Sequence, residues 1–580
     1  MSDNCLASIR NRVETGVRPA LFVQMTSHRF VALFLLAWVT AGSNTIAAQE
    51  EDQITGDYAA PRYLKTLVNP SSEELLEAAR IVVRQPHGMG GLGRAEPGWK
   101  VHVFLPYNQD MDVFKAIQQA WKEERNVQAV PVQPWEASGE TKEAFESRLK
   151  ENDALLHGNE AYKEIGMFDP GYYPYLSKET QEKFGKTMGM IEVLSGFEEY
   201  LDKHTEVEHL VRDPAGASGW FCVYAPNHCD KHIANWTYIN AIDVMNHSSE
   251  YPADVWSLVE ETTAKPVEYV SEGTLVDPEG TDIHWEVSRE LAWKWSQYAN
   301  LPIANNHMFL YPHSMDTTVM EGVVAGCSNH TGFMPCMKVY LSKHGRVDKV
   351  VGGGKTGDYF RELISHPKFS PETVCYPNLP ECGYWFLSGD GLGTNPKKVR
   401  NMNTLIQGQT DTPNLWERER AGVQHLSFTG ASGMLDFKRS AVEQAVKDGK
   451  DNVGIFRTDP ALLMYAFENE LPTGHTSHIH NYFATIKWKL RDTGEWITIS
   501  EKGRPSAFDN PEIRALASKY GDPDTIFSYD WIPAIPGVNV KGNYKQDYAD
   551  DPWAWVSKEW EQIKDGTYEF FVAGYSMFER

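Results

Sequence analysis

The chain has 580 residues, a formal charge of −24 and 41% apolar residues. That length exceeds one ordinary hydrophobic core, so two or three domains are expected. The acidic balance offers no basic face for a phosphate backbone, which argues against a nucleic-acid partner.

The N-terminus has the layout of a secretory signal. Arg29 precedes an apolar run from Phe30 to Val39, small residues follow at Ala47 and Ala48, and an acidic stretch begins at Glu50. The run is too short to span a bilayer. Residues 1–48 are therefore expected to be removed, with Met25 as an alternative start, and the mature chain is expected in the periplasm or secreted, without stable membrane insertion. The cysteines agree. Cys5 lies in the leader, and the other six form three local pairs: Cys222/Cys229, Cys327/Cys336 and Cys375/Cys382. None has the Cys-x-x-Cys spacing of a zinc site, so three disulfides are expected.

After an exposed lead-in, "SSEELLEAARIVVRQ" reads as a helix with a capping box at its start. The glycines of "HGMGGLGR" (Gly88, Gly90 and Gly93) match GxGxxG. That motif needs a strand before it and a helix after it, and here the order is reversed, so a connection is expected. "KVHVFLP", "MDVFKAIQQAWKEERN" and "VQAVPVQP" read as strand, helix, strand, the unit of a parallel sheet. "PADVWSLVEETTAK" reads as a further helix.

From about residue 265 short alternating runs dominate. "EYVSEGTLVDPEGTDIHWEV", "MKVYLSKHGRVDKVVGGG", "YWFLSGDGLGT", "VQHLSFTG", "HNYFATIKWKL" and "GEWITISEKG" read as strands, with hairpin chemistry in "KHGRVDKV" and "RDTGEWI". The last 75 residues are aromatic-rich and include a helix in "WAWVSKEWEQIKDG". The expected class is α+β. An N-terminal parallel α/β domain (49–262) precedes a mainly antiparallel β domain (263–505) and a C-terminal extension (506–580) that packs on the core or covers the site.

"GHTSHIHNYF" holds three histidines in six residues, His475, His478 and His480. Residues two apart on a strand share a face, so His478 and His480 form a bidentate pair, while His475 precedes the strand. His425 lies in "VQHLSFTG", and His307 and His313 flank the apolar run of "HMFLYPH". A lone histidine in such a run is more often a hydrogen-bonded core residue. The pair at His478 and His480 shifts the balance toward a metal site.

These segments resemble those of the thermophilic metallo-aminopeptidases of the aminopeptidase T and S type. The likeness covers about residues 70–505 and is carried, in order, by "GWKVHVFLPYNQDMDVFKAIQQAWKEERNVQAVPV", "VDPEGTDIHWEV", "MKVYLSKHGRVDKVVGGG", "GLGTNPKK", "VQHLSFTG" and "SHIHNYFATI". The resemblance implies two metals held largely by carboxylates, but His307 stands at the first Glu position. No Glu stands near Gly389 or Asp390, where the second belongs, and His480 replaces the closing Asp. The 2,5-dihydroxypyridine 5,6-dioxygenases, similar in fold, bind one Fe(II) through a His and a closing His-x-Asp, and the ligand pattern is closer to theirs. The resemblance then implies metal ligation by His425, His478 and His480, with His307 as a fourth ligand or pocket residue. Fe(II) is expected and Zn(II) is the alternative.

His475, Glu321, His284 and Asp282 are candidates for proton transfer or ligand support. The expected function is an exported mononuclear metal enzyme that oxygenates or cleaves an aromatic or heteroaromatic small molecule. A secreted zinc-dependent, aminopeptidase-like hydrolase and a non-catalytic metal-binding protein are the alternatives. A homo-oligomer is compatible with all three. Sequons at Asn235, Asn246 and Asn329 would be used only in a eukaryotic secretory pathway.

Overall fold

The computed structural model describes residues 58–572, apart from 68–69, 87–90, 107–108, 148–169, 182–196, 213–225, 249–250, 300–306, 309–311, 313–316, 330–331, 400–421, 431–438, 451–458 and 473–474. The expected leader, Gly88 and Gly90, Cys222 and His313 lie outside the described residues.

The first strand, β1 (Arg62–Leu64), is followed by helix α1 (Ser72–Arg84). The capping box is formed: the Ser71 hydroxyl accepts from the Glu74 amide and the Glu74 carboxylate accepts from the Ser71 amide. The apolar stripe of α1 buries Ala78, Ile81 and Val82. Next come β2 (Lys100–Phe104), helix α2 (Met111–Arg125) and β3 (Gln128–Val132). Asp110 caps α2, and Asn126 ends it in the left-handed conformation at φ 52°. With β4 (His209–Arg212) and β5 (His232–Asn235) these strands form a parallel sheet in the order β3-β2-β4-β5. The expected parallel unit is present.

The β-rich part forms two sheets. The larger joins β6 (Val270–Val276), β7 (Asp282–Glu286), β9 (Val319–Asn329), β10 (Gly332–Leu341), β11 (Val347–Gly352), β15 (Thr485–Leu490), β16 (Trp496–Glu501) and β17 (Arg504–Pro505). Their order is β11-β10-β9-β7-β6-β15-β16-β17, antiparallel throughout. Alternation decides the faces: Ile283 and Trp285 of β7 are buried, and Asp282 and Glu286 are exposed. Both hairpins form where expected, the β10–β11 turn with Gly345 at φ 80°, a backbone angle that few other residues tolerate.

The smaller sheet joins β8 (His307–Met308), β12 (Trp385–Gly393), β13 (Gln424–Gly430) and β14 (His475–Asn481) in the order β14-β13-β12-β8. The run "HNYFATIKWKL" therefore divides between the two sheets. Phe483 takes a left-handed φ of 61°, the chain turns there, and β15 begins at Thr485. The two sheets share one core, in which Trp285 and Ile283 meet Leu387, Leu426, Phe428 and Ile479.

The C-terminal extension packs on the core of the N-terminal unit. Trp531, Tyr548, Val556 and Trp560 join Tyr63, Val82, Phe114 and Trp121 there. β1 is the central strand of a third sheet, antiparallel to β18 (Trp531–Ile532) and parallel to β19 (Phe571–Val572). The helix Pro552–Asp565 covers the same core. Cys327–Cys336 and Cys375–Cys382 are disulfide-bonded. Among the described residues no helix is long and apolar enough to cross a membrane. Two of the sequon asparagines are buried: Asn235 is 3% exposed and Asn246 is 2% exposed. Asn246 is also engaged, its Oδ1 accepting from the Val399 amide at 2.8 Å.

Candidate metal centre

The histidine cluster sits on β14, an edge strand of the smaller sheet, hydrogen-bonded to β13. The register pairs Gln424 with Asn481, His425 with His480, Leu426 with Ile479 and Ser427 with His478. His425 thus stands directly opposite His480. Facing residues on antiparallel strands are neighbours, with Cβ atoms roughly 4.5–5.5 Å apart. His478 and His480 share one face of β14 and are 1% and 0% exposed. His425, His478 and His480, up to 55 positions apart in sequence, are brought to adjoining backbone positions.

The opposite face of β14 holds the strand in place. Ile479 packs against Gly326 of β9, where a Cβ would overlap the Ile479 side chain. Asn481 Nδ2 donates to Thr281 Oγ1 at 2.7 Å, to the Ala325 carbonyl and to Asp277. Asp277 accepts in turn from the amides of Glu279, Gly280 and Thr281. Burial raises the Asp277 carboxyl above its ordinary value, and these hydrogen bonds oppose that shift. On the other side Ser427 Oγ donates to the Ser388 carbonyl at 3.1 Å and ties β13 to β12.

β12 departs from regular pairing at one place. Gly389 faces Leu426 and Leu392 faces Gln424, so Asp390 and Gly391 together oppose the single residue His425. This is a bulge of two residues against one. It sets Asp390 abreast of His425, in the row that His480 completes. Comparing segments for a missing Glu overlooks this residue, because its place depends on the register and not on its spacing in sequence. A Gly-Asp-Gly run inside a strand was the available signal of a bulge.

The other candidates fall elsewhere. His307 pairs with Gly393 on β12, two strands from β13, roughly 10 Å across the sheet at about 4.8 Å per strand. His475 is the first residue of β14, paired with Thr429 past a bulge, and does not precede the strand as expected. Only the backbone is described for His307, His425, His475 and Asp390. His284 and Glu321 face each other on β7 and β9 of the larger sheet, with Nδ1 and Oε1 4.0 Å apart and side chains 34% and 50% exposed. Asp282 is exposed on the same strand. The structure brings His425, His478, His480 and Asp390 to one patch of backbone. It puts His284, Glu321 and Asp282 on another sheet.

Just past β14, Tyr482 and Phe483 line a cavity of about 290 Å³ together with Arg62, Lys502 and Tyr529. The Lys502 ammonium lies 5.5 Å from the Tyr58 ring centre. The lining sets three cationic side chains, Arg62, Lys502 and Arg504, against one carboxylate, Asp524, so in a chain this acidic the cavity suits a small anion with an apolar body.

No family model matches the chain, and no curated protein matches it. Among solved structures the chain is similar to the 2,5-dihydroxypyridine dioxygenase of Pseudomonas putida KT2440. The identity is 12%, over 77% of this chain and 100% of that one, with a TM-score of 0.33. A likeness that shallow says nothing about what this chain does.

Proposed function

We propose that this protein is a mononuclear metal enzyme whose ion is held by His425, His478 and His480, with Asp390 supplying a carboxylate. The observation that carries this reading is the register, which sets His425 opposite His480 and opens a bulge at Asp390. The donor set fits a single first-row metal. Nitrogen ligands with one carboxylate are the usual set for non-haem Fe(II), and three imidazoles alone also suit Zn(II). Fe(II) is the assigned metal. A carboxylate from β12 answers the loss of the closing Asp at position 480.

The substrate class we assign is an aromatic or heteroaromatic small molecule, and the cavity beside Tyr482 and Lys502 favours one that carries an anionic group. The chemistry that Fe(II) supplies when bound is activation of dioxygen beside a chelated ring. The residues of the chain prepare the place. The buried face of β14 excludes water around His478 and His480. The Asn481 hydrogen bonds and the Gly326–Ile479 contact hold the strand against the larger sheet. His307 is a pocket residue in this reading, and His475 is the candidate for proton transfer at the end of the same strand. His284 and Glu321, exposed on the larger sheet, take no part.

A secreted zinc hydrolase is the second reading. The two bonded disulfides favour it, since they belong to an oxidising compartment and hydrolysis needs no oxygen.

Metal analysis of the purified chain tests the proposal. The expected result is close to one iron per chain, lost in both His425→Ala and His478→Ala while circular dichroism stays unchanged. One zinc with the same dependence would support the hydrolase. Equal metal in wild type and both variants would put the site elsewhere.

A further inference from the structure

A second cluster gathers near the end of β9. Cys327, near the end of β9, is 1% exposed, and its disulfide partner Cys336 on β10 is partly exposed. Glu279, from the turn between β6 and β7, is 5% exposed. Its Oε1 lies 3.1 Å from Cys327 Sγ. The Tyr544 hydroxyl, from the C-terminal extension, donates to the same Oε1 at 3.0 Å and lies 3.1 Å from Cys327 Sγ and 3.3 Å from Cys336 Sγ. The other carboxyl oxygen, Oε2, is buried and meets no hydrogen-bond donor among the described residues.

A structural disulfide needs none of this. A carboxyl group buried with one oxygen lacking a hydrogen bond is costly. The asymmetry of the two sulfurs indicates what the carboxyl does there. Cys336 is the more exposed of the two, so attack by an incoming thiolate is directed there, and the sulfur then expelled is that of the buried Cys327. A thiolate released there would be an uncompensated buried charge. Glu279 is the acid within reach of it.

We propose that Cys327–Cys336 is a thiol–disulfide exchange site that reacts with dithiols, with Glu279 as the proton donor to the Cys327 sulfur and Tyr544 positioning the carboxyl. The thiolate of a dithiol attacks Cys336 Sγ, and a new S–S bond forms as the Cys327–Cys336 bond breaks. The electron pair of the broken bond goes to Cys327 Sγ, which takes the Glu279 proton and becomes a thiol. The second thiol of the reductant, after losing its proton to water, attacks the mixed disulfide and expels Cys336 as a thiolate. The dithiol leaves oxidised by two electrons, the cysteine pair is reduced by two, and Glu279 is reprotonated from solvent. In reverse, Glu279 takes the Cys327 proton as the pair is reoxidised.

Burial, reinforced by Asp277, pushes the Glu279 carboxyl up to about 8, and the Tyr544 hydrogen bond opposes the shift. The acid is therefore charged with its proton at neutral pH. The other ionisable groups around it are Asp277, Tyr544 and Tyr548, and Lys338, whose Nζ would lie 3.2 Å from a Cβ on Gly280.

The experiment treats the folded full-length chain with dithiothreitol in the presence of a chelator, quenches with iodoacetamide, and follows each cysteine pair by peptide mass spectrometry. Cys375–Cys382 in the same tube serves as reference, because the ratio of the two rates cancels the ionisation of dithiothreitol. The expected result is a ratio that falls as pH rises through about 8, and that is lower in Glu279→Gln at pH 7 by about tenfold or more. The proposal is overturned if Cys327–Cys336 stays closed while the chain remains folded. It is also overturned if the wild-type ratio is flat across that range, a result that needs no variant to fold.

Discussion

Lys397 and Asp530 are both fully shielded from solvent, and the Lys397 ammonium stands 3.3 Å from Asp530 Oδ1. The same ammonium donates to the carbonyls of Thr525 and Ser528 at 2.7 and 2.8 Å. A residue just past β12 thereby clasps the segment that leads into β18. Lys397→Met removes a positive charge 3.3 Å from a buried carboxylate and is expected to cost about 3–5 kcal/mol. Lys397→Met with Asp530→Leu should recover much of that loss. Urea unfolding of the three chains decides the matter, and a single-variant loss below about 1 kcal/mol would show that the pair does not hold the extension.

Asp243 gives a pH dependence with a definite sign. It is 1% exposed, and burial raises its carboxyl from 3.8 to about 7, against hydrogen bonds from the Ile239 and Asn240 amides. Between those values the folded chain keeps a proton that the unfolded chain has released. The stabilisation is therefore complete below about 4 and disappears as pH rises through about 7. Asp243→Asn stays neutral and accepts the same amides. The stability of wild type relative to this variant should fall between pH 4 and pH 8, by up to about 4 kcal/mol. The comparison removes the opposing slope of His232, which burial and then Arg212 and Arg94 lower to about 4. A constant difference across that range would refute the assignment.

Gly326→Ala places a methyl group against Ile479, the residue between His478 and His480. Overpacking of this kind costs roughly 1–3 kcal/mol. Here it should also push β14 out of register with β13 and weaken metal retention. Calorimetry and metal content, read together, separate the effects: lower stability with undiminished metal would mean that the contact does not position the site.

Asp390→Ala is expected to lower metal affinity by at least about tenfold, while Glu321→Gln, on the exposed face of the larger sheet, leaves it unchanged. Competition with a chromophoric chelator measures both. Wild-type affinity in Asp390→Ala would reduce the donor set to imidazoles and remove the main argument for iron over zinc.

Local features were readable in the chain and non-local ones were not. The Ser71–Glu74 box, the β2-α2-β3 unit and the two hairpin turns each depend on a few consecutive residues, so propensity and spacing suffice. The alternation of His478 and His480 is equally local. The division of "HNYFATIKWKL" at Phe483 was not readable, because a left-handed aromatic residue is set by tertiary packing. Nor was Asp390, whose neighbourhood with His425 arises from a bulge in the pairing of strands more than thirty residues apart. The clasp between Lys397 and Asp530 joins segments 133 residues apart and left no periodic trace.

β1 lies between strands contributed by residues 531–532 and 571–572. The opening strand of the described fold has no neighbour in its sheet until the end of the chain arrives. A ribosome, or a translocation pore, that delivers this polypeptide from its N-terminus must therefore release nearly all of it before that sheet can close. Until then Tyr63 and Leu64 lack their strand partners and the part of their core that comes from the far end, Trp531 and Trp560 among it. Truncation near residue 530 would leave them permanently so, which makes the final fifty residues a timer on maturation as much as a part of the architecture.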